Sequence, residues 1–248
     1  MKAIWQGSIA FGLVNIPIKI YSAAEPKQFS FHLLCGKCKT PLRYKRWCPN
    51  CKQEVAWQNI LHGFELEKGK WKVLSQEELK KLKPQKADQI ELIGFSSIEA
   101  FDPLLFSKHY YAVPTQKKEK AYWLFKEVLQ ATAKVAFGKM IMHEKEHIVI
   151  IQSYKKGLLL TTLYYPYEIR DIKKLAELEE SVKITSAEFN LAKKLIMTLT
   201  KEPELEKYKD SFEQKLRELI LGKVSKEKPT PKPEKLLEAL ALSIKKKT

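Results

Sequence analysis

A chain of 248 residues with 44% hydrophobic side chains can bury a sizeable core, as one large domain with an appendage or as two small ones. Lys and Arg number 45 against 29 Asp and Glu, a net charge of +16, and a field of that sign favours polyanions such as DNA, RNA or an anionic membrane surface. A Lys-rich solvated surface, as in proteins of hot environments, accounts for abundant Lys with Glu but not for this imbalance, and no apolar run reaches the length of a membrane span.

The first 17 residues superficially suggest a signal peptide. Gln6, Asn15 and Pro17 interrupt the apolar stretch and Lys19 follows closely, so the segment reads as folded sequence of a cytoplasmic, nucleoid-associated protein. Ile16 to Tyr21 alternates apolar and other residues as a strand does, with Pro17 marking an edge or a strand start.

Cys35-Gly-Lys-Cys38 and Cys48-Pro-Asn-Cys51 follow, nine residues apart. Each C-x-x-C pair places two thiolates on a tight knuckle, and two knuckles make a tetrahedral four-sulfur site suited to zinc. Such a site is structural, because four cysteines leave no open position for substrate or activated water. Disulfides or free thiols are the alternative, but nothing else points to export. The residues between the pairs, 39–47, are just long enough for a short hairpin. Pro26 to Gln53 contains seven Lys or Arg and no Asp or Glu. A cationic, aromatic-bearing zinc knob over about 33–53 is a plausible nucleic-acid contact.

Phe64 to Leu74 reads as a hairpin turning at Lys68-Gly69, and Ile90 to Phe95 as a strand. Between Lys117 and Ala136, seven apolar residues (Ala121, Leu124, Phe125, Val128, Leu129, Val135 and Ala136) keep helical spacing, with Gly138 as the stop. Strands are predicted at Lys139 to Met142, Ile148 to Tyr154 and Leu158 to Tyr165. Between the first two lies His143-Glu-Lys-Glu-His147, a match to the metalloprotease pattern H-E-x-x-H. That chemistry needs a helix to bring both histidines to one face; between two strands the segment reads as a polar connection.

The character changes near Asp171. Thr185-Ser-Ala-Glu188 is a capping box opening a helix through about Leu199, and a second helix runs from about Ser211 to Leu221, ending at Gly222. Lys and Pro then dominate a linker through Lys232-Pro233. Leu236, Leu237, Leu240, Leu242 and Ile244 give the last segment an apolar strip, a short helix that would order against a partner. No phosphate loop, nucleophile elbow or kinase set is present, which argues for a binding protein over an enzyme.

The opening Met1-Lys-Ala-Ile-Trp-Gln-Gly-Ser-Ile-Ala-Phe-Gly-Leu-Val-Asn-Ile-Pro-Ile-Lys-Ile-Tyr21 closely resembles the start of prokaryotic Ku proteins. Leu42-Arg-Tyr-Lys-Arg46, Val73-Leu-Ser-Gln-Glu-Glu-Leu79, Glu99-Ala-Phe-Asp-Pro103, Lys120-Ala-Tyr-Trp-Leu124, Tyr165-Pro-Tyr-Glu-Ile-Arg170 and Tyr208-Lys-Asp-Ser-Phe212 resemble further Ku segments in the same order. The resemblance covers essentially the whole chain. It implies a mixed α+β protein with a Ku-type β-barrel core, a DNA-encircling bridge and a helical C-terminal arm. Two copies would form a ring that threads onto double-stranded DNA ends in non-homologous end joining and recruits an ATP-dependent DNA ligase. The Ku likeness does not itself require both cysteine pairs, so zinc rests on their spacing.

On this reading the core and bridge occupy 1–180, the arm 181–222, and the linker with its terminal helix 223–248. The ligase contact falls on Leu236 to Ile244. A ring that accepts any broken end must contact phosphates rather than bases. Candidates for its lining are Lys27, Lys37, Lys39, Arg43, Lys45 and Arg46 in the acid-free stretch, with Lys19, Lys108 and Lys139 as weaker ones. The competing expectation is a zinc-ribbon nucleic-acid-binding protein of transcription or translation with no preference for ends.

Overall fold

The computed structural model describes residues 1–25, 29–81, 88–178 and 182–222. The chain divides into two units, Met1–Lys27 with Phe31–Arg170, and Gln28–Ser30 with Asp171–Thr248. The strands are β1 (Trp5–Phe11), β2 (Val14–Ser22), β3 (Trp47–Cys48), β4 (Gln53–Glu54), β5 (His62–Glu67), β6 (Lys70–Leu74), β7 (Gln89–Ser96), β8 (Phe106–Pro114), β9 (Val135–Met142), β10 (Lys145–Tyr154) and β11 (Gly157–Leu163). The helices are α1 (Gln76–Lys81), α2 (Lys120–Thr132), α3 (Ser186–Leu199) and α4 (Ser211–Ile220).

Seven strands of the first unit close into a barrel in the order β1-β2-β8-β11-β10-β9-β7. Neighbours are antiparallel except β1 and β7, which run parallel through Ser8↔Gln89 to Ala10↔Glu91. Alternation builds the interior. Ile16, Ile18 and Ile20 of β2 are buried while Pro17 and Lys19 between them are not, because successive strand residues face opposite sides. Ile9, Ile90, Ala112, Met140, Val149, Ile151, Leu158 and Leu160 complete the same cluster from the other strands. Closure leaves no unpaired sheet edge.

Helix α2 contributes Tyr122, Phe125 and Leu129 to this core. The Tyr122 hydroxyl donates to the Ala112 carbonyl (2.8 Å) and accepts from the Leu158 N–H (3.1 Å). Those residues face each other in the β8–β11 ladder, so one phenol ties the helix to two barrel strands.

Pro17 lies inside β2, not at an edge or a strand start. A strand residue's N and C=O point to the same side. The Pro17 carbonyl accepts from Thr115 N–H (3.1 Å), so its missing donor falls toward β8, just past the ladder end at Ile18↔Pro114. The helical spacing read up to Ala136 also ends earlier. Ala133 caps α2 in the left-handed conformation (φ 50°, ψ 31°), and Val135 and Ala136 already belong to β9. Gly138 stops no helix: it sits in β9 opposite Leu92, where an added Cβ would lie 2.2 Å from the Glu91 carbonyl oxygen. The β5–β6 hairpin turns at Lys68-Gly69 as expected, with Gly69 at φ +83°.

In the second unit, Thr185 and Glu188 form the anticipated reciprocal capping box at α3, and Asp210 caps α4 by accepting from Phe212 and Glu213 N–H. Gly222 follows α4 at φ +75°, a position that favours glycine. Neither helix buries any residue. Within this unit the Arg217 guanidinium lies 5.3 Å from the Phe29 ring centroid.

Candidate nucleic-acid interface and metal centre

Each cysteine pair caps its own small hairpin. Around the first, Leu34 bridges Pro41, Cys35 N–H donates to Thr40 O (2.9 Å) and Leu42 N–H to Leu33 O (2.8 Å). Around the second, β3 pairs with β4 through Trp47↔Glu54 and Cys48↔Gln53, extended by Val55 N–H to Arg46 O (2.8 Å). The hairpins thus enclose the knuckles, whereas the spacing had suggested one hairpin between them. The two turns are alike: each second cysteine is followed by a lysine in the left-handed region, Lys39 at φ 60° and Lys52 at φ 50°.

The knuckle geometry favours thiolate at Cys38 and Cys48. Hydrogen bonds from Thr40, side chain first and then backbone, with a smaller one from Cys35, lower the Cys38 thiol to about 7. The Cys51 N–H points at Cys48 Sγ (3.4 Å) and lowers that thiol. Cys51 is raised in turn by its bond and charge coupling to Cys48. Four cysteines on two matched turns fit the donor chemistry of structural zinc. Each pair is brought together, but among the described residues no group of three or more His, Cys, Asp or Glu is assembled.

The basic candidates differ in their surroundings. Lys37 and Arg43 are exposed and, among the described residues, carry no ion pair. Lys39 Nζ folds back onto the Gly36 carbonyl (3.0 Å). Lys45 pairs with Glu54 across the second hairpin (3.0 Å), an exposed contact worth at most about 1 kcal/mol. Arg46 lies over the Trp57 ring, 4.6 Å from its centroid, which leaves the edge of the guanidinium fork for an anion. Lys27 and the tail positions Leu236, Leu237, Leu240, Leu242 and Ile244 lie outside the described residues.

On the barrel, Lys19 points outward from β2, Lys108 is exposed on β8, and Lys139 on β9 is held by Glu146 of β10 (3.1 Å). The H-E-x-x-H segment is a tight turn between β9 and β10, not a helix. His143 and Glu144 take φ 51° and 65°, and Lys145 already begins the strand. It brings His143, Lys145 and His147 beside Lys108 at a cavity of about 680 Å³, which Glu146 and Glu168 also line. Burial first, then the charges of Lys145, His143 and Lys108, push His147 below the usual imidazole range. Sequence reasoning missed this grouping because Lys108 is 35 or more residues from the turn; only the pairing of β8, β11, β10 and β9 side by side brings them together.

A family model described as the Ku70/Ku80 beta-barrel domain matches residues 10–191. The Non-homologous end joining protein Ku of Heliobacterium modesticaldum is 36% identical over 252 aligned positions, spanning 98% of this chain and 91% of that protein. The protein of the same name from Archaeoglobus fulgidus is 36% identical over 225 positions, 91% of this chain and 89% of its own length. That of Bacillus subtilis is 32% identical over 236 positions, 95% of this chain and 76% of its own.

Proposed function

The chain belongs to the Ku family, and on that premise we propose that it binds the ends of double-stranded DNA, without regard to base sequence, in non-homologous end joining. The observation that carries this reading is the likeness, over nearly the full length of both chains, to proteins named for that process. The binding species is a ring-shaped homodimer. Phosphate contacts from Lys and Arg give an affinity dominated by counterion release and steeply weakened by salt, with Arg43 and Arg46 the strongest candidates because a guanidinium fork suits phosphate. Preference for ends is topological, since a closed circle offers no end to thread.

Cys35, Cys38, Cys48 and Cys51 are the donor set for one structural zinc, which would cross-link the two hairpins of the knob and supply no reaction chemistry. The segment from Leu236 to Ile244 is the contact for an ATP-dependent DNA ligase, an apolar strip suited to a partner's groove. Removing the residues after Pro233 is expected to leave end binding intact and to abolish stimulation of a cognate ligase.

The deciding experiment uses one plasmid in linear and closed circular forms. Binding to the linear form alone, at every sequence of end, is the expected result. Equal binding to the circle would instead favour a nucleic-acid module without end preference. Exchanging Arg43 and Arg46 for alanine is expected to weaken all linear duplexes about equally and to flatten the salt slope.

A further inference from the structure

The outer wall of the barrel carries a row of tyrosines. Tyr21 of β2 stands directly opposite Tyr111 of β8. The Tyr111 ring lies nearly parallel to that of Tyr154 at the end of β10, with centroids 6.3 Å apart and planes 22° apart. These three line a cavity of about 580 Å³ whose lip is the β10–β11 turn. Lys155 and Lys156 form that turn, Lys155 at φ 49° with its ammonium 5.3 Å from the Tyr154 ring centroid. No acidic residue lines the cavity among the described residues.

We propose that this tyrosine row is a stacking platform for unpaired nucleotides, engaging the single-stranded overhang of a broken DNA end. The inference deepens the end-binding reading and rests on it. A structural ladder of cross-strand aromatics would explain the Tyr21–Tyr111 pair alone. It needs neither a cavity of ligand size nor two lysines at its mouth with no carboxylate among them. Aromatic faces beside cations that track a phosphate backbone are the combination that holds single strands, and it tolerates any base because every base has a π-face. The strand would draw the Lys155 ammonium from the Tyr154 ring to a phosphate, freeing the ring for a base.

The test measures the full-length protein against hairpin duplexes bearing one blunt end or a six-thymidine overhang, and against a free ten-thymidine oligonucleotide. Tyr154→Ala is expected to weaken overhang and free-strand binding about tenfold, within the range seen when one stacked base is lost, and to change blunt-end binding less than twofold. Tyr154→Phe should retain both, and Lys155→Gln with Lys156→Gln should reproduce the overhang defect without touching a ring. Photocross-linking from 5-iodouracil in the overhang should label Tyr111 or Tyr154. If wild type and Tyr154→Ala bind overhang and blunt ends alike and neither tyrosine is labelled, the platform is refuted while end binding stands. An equal loss on blunt and overhang ends would make Tyr154 a duplex or structural contact and would also overturn it. Absence of blunt-end binding in the wild type would sink the function proposed above; the free oligonucleotide would still decide the platform.

Discussion

The buried Tyr122 hydroxyl serves two backbone groups, and burial, partly offset by the Leu158 N–H bond, pushes its pKa to about 12. Tyr122→Phe keeps the ring and removes both bonds, so a loss of about 1–3 kcal/mol is expected in urea unfolding. The pH dependence follows from the raised value. An unfolded tyrosine ionises near pH 10, so the stability this group contributes is complete below that pH and is lost between about 10 and 12. Wild type should lose stability over that window more steeply than Tyr122→Phe. Gly138→Ala tests packing of another kind. Its Cβ would meet backbone, the Glu91 carbonyl at 2.2 Å, so β7 and β9 must separate at a cost of about 1–3 kcal/mol, visible as a lowered Tm. These two residues also mark what the sequence can tell. The apolar alternation of Ile16, Ile18 and Ile20 is local and readable. A glycine needed for close approach of two strands more than 40 residues apart looks the same as one that ends a helix, and an alanine that ends a helix in the left-handed region carries no signal.

At the scale of elements, the hairpins at the cysteines are slight. Strands β3 and β4 have two residues each, and isolated hairpins are marginal in water even when longer. Their bonds are local, and a zinc cross-link is what would hold them in one arrangement. Purified protein is expected to carry one zinc per chain, and Cys48→Ser to lose it. Hydrogen exchange should then rise sharply over 33–56 while the barrel strands keep their protection; unchanged exchange, or a metal content well below one equivalent in reducing buffer, would refute the cross-link. The C-x-x-C spacing made both knuckles legible because a tight turn is sequence-local, whereas the two hairpins that carry them were not, since the spacing suggested one hairpin between the pairs. The assembly of two turns into one site, like the gathering of Lys108 with the β9–β10 turn, depends on tertiary placement that spacing does not encode.

At the scale of the molecule, the arm asks for a partner. Helices α3 and α4 bury none of their residues, and Phe189, Ile196, Met197, Phe212, Leu219 and Ile220 are all well exposed. Helices of 14 and 10 residues are marginal in water unless an apolar face is covered, and apolar exposure on this scale marks an interaction surface. Covering by a second copy accounts for it within the proposed ring. Light scattering at micromolar concentration is therefore expected to give about twice the 28.8 kDa of one chain. Phe212→Asp with Leu219→Asp should shift the protein toward monomer, because a buried unpaired carboxylate costs several kcal/mol. These positions lie on the arm and the barrel does not depend on their burial, so the variant should keep the far-UV signature of the β-barrel. If end binding requires a closed ring, it should fall in parallel with the dimer fraction as protein is diluted. A wild-type monomer that binds linear DNA with full affinity would contradict both the ring and the topological account of end preference.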